Sequence, residues 1–383
     1  MDYFEIDVIS NVLGFLNNPA DLIRASAVSR SWRHHASSAK QPKVQVFCSR
    51  SLVLRYRFIM RPSRSASKIL VANGLCKKLW LRKFPQVANV AYAVEDSDGI
   101  IKLSNISSGN PENWEALKRD HKIYSFLLQP LAKPIICPKD CLGFPIGASS
   151  TDHDLAENVI NTLTPIDRYP GGASYWSSKG ERDPNVPENI LYRLITSISI
   201  VTEVHIRPFQ AFWEPGRPVY SPKSVRFRLG RPKFMEDVEI DVCPVQQPSV
   251  DKYIWTYTSP VFPMAQESCL QQFKLPEPVV CVGGIFQIEL FGRSGRGPLD
   301  GLFYICLGYI RVLGHSLEPA FNLEMYPSGE LQLKYYPHAL DVLHRSFAGE
   351  RSSSVDEAES ERLLQRAELL LEEMAEEILD EWD

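Results

Sequence analysis

The stretch Ile190–Phe209, ILYRLITSISIVTEVHIRPF, decides how most of this chain folds. Apolar, β-branched residues alternate along it with Arg, Thr, Ser and Glu, the two-residue period of strands whose side chains point to opposite faces. The same texture returns in PKSVRFRLGR (Pro222–Arg231), YIWTYTSPVFP (Tyr253–Pro263), CLQQFKLPEPVV (Cys269–Val280), GIFQIELFGR (Gly284–Arg293) and FYICLGYIRVLGHSL (Phe303–Leu317). Aromatic and β-branched side chains suit a pleated, half-buried surface. Breaks fall at Glu214-Pro215-Gly216 and Gly295-Arg296-Gly297-Pro298, which have hairpin-turn composition. From about Cys141 onward, short strands separated by Gly and Pro predict an all-β sandwich or barrel.

The order of these pieces resembles the discoidin-type, galactose-binding-like jelly roll over residues 141–320. Ala148-Ser149-Ser150-Thr151-Asp152 stands at its opening, and Tyr175-Trp176-Ser177-Ser178 resembles the family's tryptophan-serine turn. Leu191–Leu194 and Val201–Ile206 resemble its central strands, and Tyr309–Gly314 its closing strand. The resemblance implies that loops at one end of the sandwich bind sugars, lipids or protein, since recognition tends to sit on loops held by a rigid scaffold. Those loops would include Thr151–Asp154, Arg168–Trp176 and Gln210–Tyr220, and the candidate target- or ligand-binding residues are Asp152, His153, Trp176, Trp213 and Tyr220. The two indoles are the candidate anchors; the alternative for both is packing at strand ends.

Upstream, Phe4–Arg33 reads FEIDVISNVLGFLNNPADLIRASAVSRSWR. Ile9, Val12, Leu13 and Leu16 fall on one helical face, and Asn17-Asn18-Pro19 breaks the helix. A second helix carries Leu22, Ile23, Ala25 and Ala27, and a third, short one holds Trp32. The run DLIRASAVSRSWR resembles the F-box, with Asp21, Leu22, Ser26, Val28, Ser29 and Trp32 keeping the spacing of D-L-x-x-x-S-x-V-S-x-x-W. The resemblance implies docking on the adaptor that joins a cullin, through Phe4, Ile9, Val12, Leu13, Leu16, Leu22, Ile23, Val28 and Trp32. Where the family opens with Leu-Pro, this chain has Phe4-Glu5, which makes that first contact weaker or shifted. A generic helical hairpin is the alternative. About 30 residues bury too little surface to stand alone, so a leftover apolar face implies a partner.

Between head and sandwich the texture changes several times. Residues 35–67 hold seven Lys or Arg and no acidic residue. A nucleic-acid-binding strand pair, a membrane-surface segment and an insertion foreign to the fold compete for this span. The insertion is favoured, because in related plant F-box proteins a counterpart of ILVANGLCKKLWLRKFP follows SRSWRH almost at once; such a span is expected to be poorly ordered. Residues 68–94 then complete the F-box helical region, with Gly74–Val94 read as helical and Leu75, Leu79 and either Trp80 or Leu81 buried. Residues 95–140 form a linker and a bridging helix, Trp114–Leu131, with Leu117, Ile123 or Tyr124, Leu127 and Leu128 on one face and His121 solvated. After the sandwich, residues 321–383 form an extension ending in an acidic amphipathic helix, Glu357–Asp383.

Composition restricts function. A net charge of −4 over 383 residues provides no global field to drive the chain onto nucleic acid or an anionic membrane. No stretch of about 18 uncharged apolar residues is present, and the chain is expected to be soluble and intracellular. The eight cysteines lack the spacing of a disulfide scaffold, and Cys137-x-x-x-Cys141 has no second pair, so neither metal nor cofactor is expected. Asp152-His153-Asp154 reads as a solvated or calcium-like loop, and Gly292–Gly297, GRSGRG, as a hairpin turn whose two arginines could still bind a surface anion. The expectation is a multidomain α+β chain: a small N-terminal helical F-box (1–34), an all-β jelly-roll sandwich and a C-terminal amphipathic helix. It would be the non-catalytic substrate-recognition subunit of an SCF-type ubiquitin ligase in nucleus and cytoplasm. Its partners would be the adaptor, through it a cullin, and a target protein, with neither membrane nor nucleic acid. The alternative is a carbohydrate- or lipid-binding lectin-like module.

Overall fold

The computed structural model describes residues 71, 73–85, 91–96, 99–103, 114–128, 138–153, 156–165, 173–234, 250–327, 329–336 and 339. The expected F-box residues from Phe4 to Trp32, the basic span 35–67 and the helix expected over 357–383 lie outside them. The chain divides into two units, one of residues 1–89 and 105–136, the other of 90–104 and 137–383.

In the first unit, α1 (Leu75–Lys83) ends at Phe84 just before Pro85 and buries Leu75, Cys76, Leu79 and Trp80. Of the two candidates for the third apolar position it is Trp80, not Leu81, that is buried. α2 (Trp114–Leu127) buries Ile123, Tyr124 and Leu127, Leu128 just past its end is buried as well, and Asp120 takes Lys77 Nζ at 2.9 Å. Two expectations for α2 fail. Leu117 is exposed, and His121 is half-buried, with Nδ1 out of contact with water, so burial lowers its pKa below the ordinary histidine value.

In the second unit, β1 (Ala91–Asp96) and β2 (Gly99–Leu103) form a hairpin where the sequence pointed to the end of a helix and a linker. The strands that follow are β3 (Lys139–Asp140), β4 (Leu142–Ala148), β5 (Trp176–Ser177), β6 (Glu188–Leu194), β7 (Ile198–Pro208), β8 (Pro222–Pro232), β9 (Tyr253–Thr258), β10 (Phe262–Pro263) and β11 (Gln271–Val282). They continue with β12 (Ile285–Arg293), β13 (Gly295–Arg296), β14 (Phe303–Tyr304), β15 (Cys306–Ser316), β16 (Phe321–Met325) and β17 (Leu331–Tyr335). Ile190–Phe209 is thus two strands with a break at Ile195–Ser197.

Two antiparallel sheets make the sandwich. One runs β10-β8-β12-β6-β4, with β9 also pairing with β8; the other runs β11-β7-β15-β3, with β5 pairing with β15. Between them, Tyr192, Phe227 and Phe286 from the first sheet meet Val204, Ile206, Ile310 and Val312 from the second. Ring centroids 5.8 Å apart join Phe227 to Phe273 of β11 across the core. The long edge strand β11 carries Pro276 and Pro278 where its register breaks between Lys274 and Val279. A residue without an N–H is tolerated on such an edge and keeps foreign strands from pairing there. A further sheet, β16-β17-β1-β2, joins β1 in parallel to β17, so 321–335, expected as part of an extension, is sheet instead.

Candidate functional site

At one end of the sandwich, loops enclose a cavity of about 340 Å³. Its frame begins at a buried ion pair: Arg293 of β12 reaches Glu188 of β6 at 2.5 Å, their side chains 0% and 4% exposed. The guanidinium spends its other donors on Ser178 Oγ and on the carbonyls of Lys179, Phe303 and Val186, at 2.7–3.2 Å. Glu188 in turn accepts from Ser149 and Ser150. A planar fork of five donors ties together three separate loop roots, a task for which lysine lacks the geometry. Arg293 is therefore not available to a surface anion, whereas Arg296 is exposed and donates through Nε to Gly301 O at 2.6 Å, so the anion-binding expectation for the GRSGRG turn fails for Arg293 alone.

Above this frame the loop Phe209–Tyr220 is closed by backbone bonds, Ala211 N to Pro218 O at 3.0 Å and Tyr220 N to Phe209 O at 3.2 Å. Its turn runs through Gly216 and Arg217 with φ of 82° and 48°, a left-handed conformation that suits Gly and strains Arg. The turn presents Trp213, 61% exposed, with its ring 5.6 Å from Phe209 and 5.9 Å from Tyr175; these last two stack at 3.9 Å. Tyr220 lies beneath, and a methyl on Gly295 would come within 2.2 Å of its ring, so only glycine fits there.

Carboxylates rim the cavity, three of them held by tyrosine hydroxyls. Tyr175 donates to Glu157 at 2.7 Å, Tyr220 to Glu214 at 2.5 Å and Tyr304 to Asp300 at 2.5 Å. Burial pushes the Glu157 carboxyl above its usual range against the pull of the Tyr175 hydroxyl. The Tyr304 hydroxyl and the Leu302 N–H hold Asp300 below its own usual value. Burial foremost, and then the facing carboxylates, raise all three phenols, so each stays a donor. Among the described residues no group of three His, Cys, Asp or Glu is arranged to hold a metal ion.

Of the candidate residues, Asp152, His153, Trp213 and Tyr220 line this one cavity. Trp176 does not, and the expectation for it is corrected. Its indole is fully buried in the sandwich core, with Nε1 donating to Ser150 O and Thr151 Oγ1 at 3.3 Å each, so it packs at a strand end. Sequence reasoning missed Glu157, Glu214, Asp300 and Tyr304. For the last two a signal existed: Pro298-Leu299-Asp300-Gly301 followed by Phe303-Tyr304 is a turn with a fully exposed leucine at its tip, which a solvated hairpin does not need.

Comparison with known proteins bears on both parts of the chain. Residues 6–40 match the F-box-like family. An F-box protein of Arabidopsis thaliana is 36% identical over 327 residues, covering 84% of this chain and 77% of that protein. Among solved structures, a family 32 carbohydrate-binding module from Streptococcus pneumoniae EndoD superposes with a TM-score of 0.31 at 11% identity, over 45% of this chain and 98% of its own. A module named CBM32-3, from a family 31 glycoside hydrolase of Clostridium perfringens, gives 0.28 at 10% identity over 45% and 90%. A fucolectin from striped bass, Morone saxatilis, gives 0.27 at 14% over 46% and 47%. The sandwich itself stands on its own strand pairings. With residues 6–40 matched to the F-box and a relative 36% identical over 84% of this chain, the chain belongs to the F-box protein family.

Proposed function

We propose that this protein is the substrate-recognition subunit of an SCF-type ubiquitin ligase, acting in nucleus and cytoplasm. Phe4–Arg33 docks on the cullin adaptor, and the β-sandwich holds the target protein. The observation that supports this reading is the union, in one chain, of an F-box match over residues 6–40 with a rigid sandwich that opens an aromatic cavity at its loop end. The subunit performs no chemistry. Holding a target lysine near the charged conjugating enzyme converts a bimolecular encounter into a tethered one, and that effective concentration is the catalytic contribution. Each buried Leu or Ile of the head contributes about 1.5–3 kcal/mol to the dock. An adaptor pull-down with the full chain tests this: Leu22→Asp with Trp32→Ala should abolish capture, and unchanged capture would remove the docking assignment.

A second reading, a carbohydrate-binding module, is favoured by one observation, the exposed indole of Trp213 against a stacked aromatic pair. A glycan array read with wild type and Trp213→Ala separates the two. Saturable sugar binding lost with the indole supports the lectin-like reading.

A further inference from the structure

We propose that the loop-end cavity takes the cationic side chain, arginine or lysine, of a basic segment on the target protein; this rests on the substrate-receptor reading above. The lining brings together the carboxylates of Asp152, Glu157, Glu214 and Asp300, and among the described residues it includes neither Lys nor Arg. That imbalance is local, because the whole chain has 42 Lys and Arg against 46 Asp and Glu.

The hydroxyls of the lining are already committed as donors. Those of Tyr175, Tyr220 and Tyr304 point into the carboxylates, and Ser177 Oγ donates to Ser178 O. Against four carboxylates the side chains of the lining leave His153 and the Trp213 indole N–H as donors, so acceptors are in excess. A neutral sugar hydroxyl brings an acceptor as well as a donor and would leave acceptors facing acceptors. An ammonium or guanidinium brings donors only, three or five of them, and each carboxylate retains lone pairs for them after its tyrosine is served.

The aromatic wall fits the same guest. Trp213, Phe209 and Tyr175 form a continuous ring surface beside the acids, and a cation over such faces gains electrostatically from the ring quadrupoles. The fully exposed Leu299 at the rim gives the apolar stem of a long basic side chain something to cover. Volume agrees in order of magnitude, since about 340 Å³ holds one side chain with its flanking backbone rather than a folded element.

The test is a peptide array probed with the full-length protein, each spot carrying a central Arg or Lys, beside spots in which citrulline or glutamine replaces it. Soluble peptides from the strongest spots are then titrated. Charged peptides should bind about tenfold more tightly than their neutral counterparts, falling toward the neutral level in high salt. Trp213→Ala and Asp300→Asn both alter exposed groups, so the fold survives, as an unchanged thermal midpoint would verify. Each should weaken the charged peptide several-fold and leave the neutral one alone. Equal binding of charged and neutral peptides, or no binding, overturns the proposal. So does saturable binding of galactose or of glucosamine oligomers that ignores the basic peptides. An adaptor pull-down from the same preparation keeps the two readings separate: adaptor captured without basic-peptide selectivity sinks only the cavity assignment, and selectivity without adaptor capture sinks only the ligase reading.

Discussion

Arg293 shows how one side chain can organise a site it never touches. Its charge is wholly buried, and it is stable there because Glu188 and four further acceptors receive all the donor groups it turns inward. Truncating one partner of such a pair leaves the other charge buried and alone, which costs roughly 3–5 kcal/mol. Arg293→Ala should therefore lower unfolding stability by that order in a urea titration, and Arg293→Lys should recover only part of it. Replacing Arg293 and Glu188 together by Met and Leu should cost much less than either single change. A double mutant no better than the singles would mean that the bonds to Ser178, Lys179 and Phe303, rather than the charge pair, carry the energy. None of this was legible in the sequence, where Gly292–Gly297 reads as a polar turn, because a pair made across 105 residues leaves no periodic trace. Asp152, His153, Trp213 and Tyr220 were legible as loop residues of a sandwich. Trp176 was misread for a comparable reason: an indole at a strand end looks the same in sequence whether it faces solvent or core.

At the scale of the element, period-two patterning located most strands well, since each needs only local alternation. β8 starts at Pro222 and ends one residue beyond Arg231, and β12 starts one residue after Gly284 and ends at Arg293, as expected. β1, β2, β16 and β17 escaped because AYAVED, GIIKL, FNLEM and LQLKY are short and acquire their meaning from partners far along the chain. β15 carries a pH-dependent element of its own. His315, opposite Ile200 in β7, is 8% exposed, and burial lowers its pKa to about 4. The unfolded chain takes up a proton at the ordinary value of 6.5, whereas the folded chain resists until about 4. Stability from this group is thus complete above 6.5 and is lost as the pH falls toward 4, by at most roughly 3 kcal/mol. Denaturation midpoints of wild type and His315→Gln measured across that window should converge toward the acid side. Parallel curves would show that the imidazole is neutral-indifferent in the fold.

Across the whole molecule, the chain crosses between its two units at 89/90, 104/105 and 136/137, lending residues 90–104 to the unit that otherwise begins at 137. The loan is structural. β1 sits between β17 and β2, with Ala93 opposite Lys334 on one side and Lys102 on the other, so Ala93 is flanked by a paired strand on both sides. A proline there must remove a ladder bond whichever way the residue points, whereas the edge strand β11 already tolerates Pro276 and Pro278. Ala93→Pro is accordingly expected to cost about 1–3 kcal/mol, the penalty for a buried backbone acceptor left without its donor. The loss should also be confined. Amide exchange should quicken in β16 and β17 together with β1 and β2, because the four strands share one ladder, while Phe286 and Ile288 of β12, paired on both sides within the sandwich, keep their protection. Uniform acceleration would mean that the small sheet and the sandwich unfold as one cooperative body. Unchanged exchange at Leu333 would mean that residues 91–96 do not pair with β17 in solution, and the segment would revert to the helix end and linker that the sequence suggested.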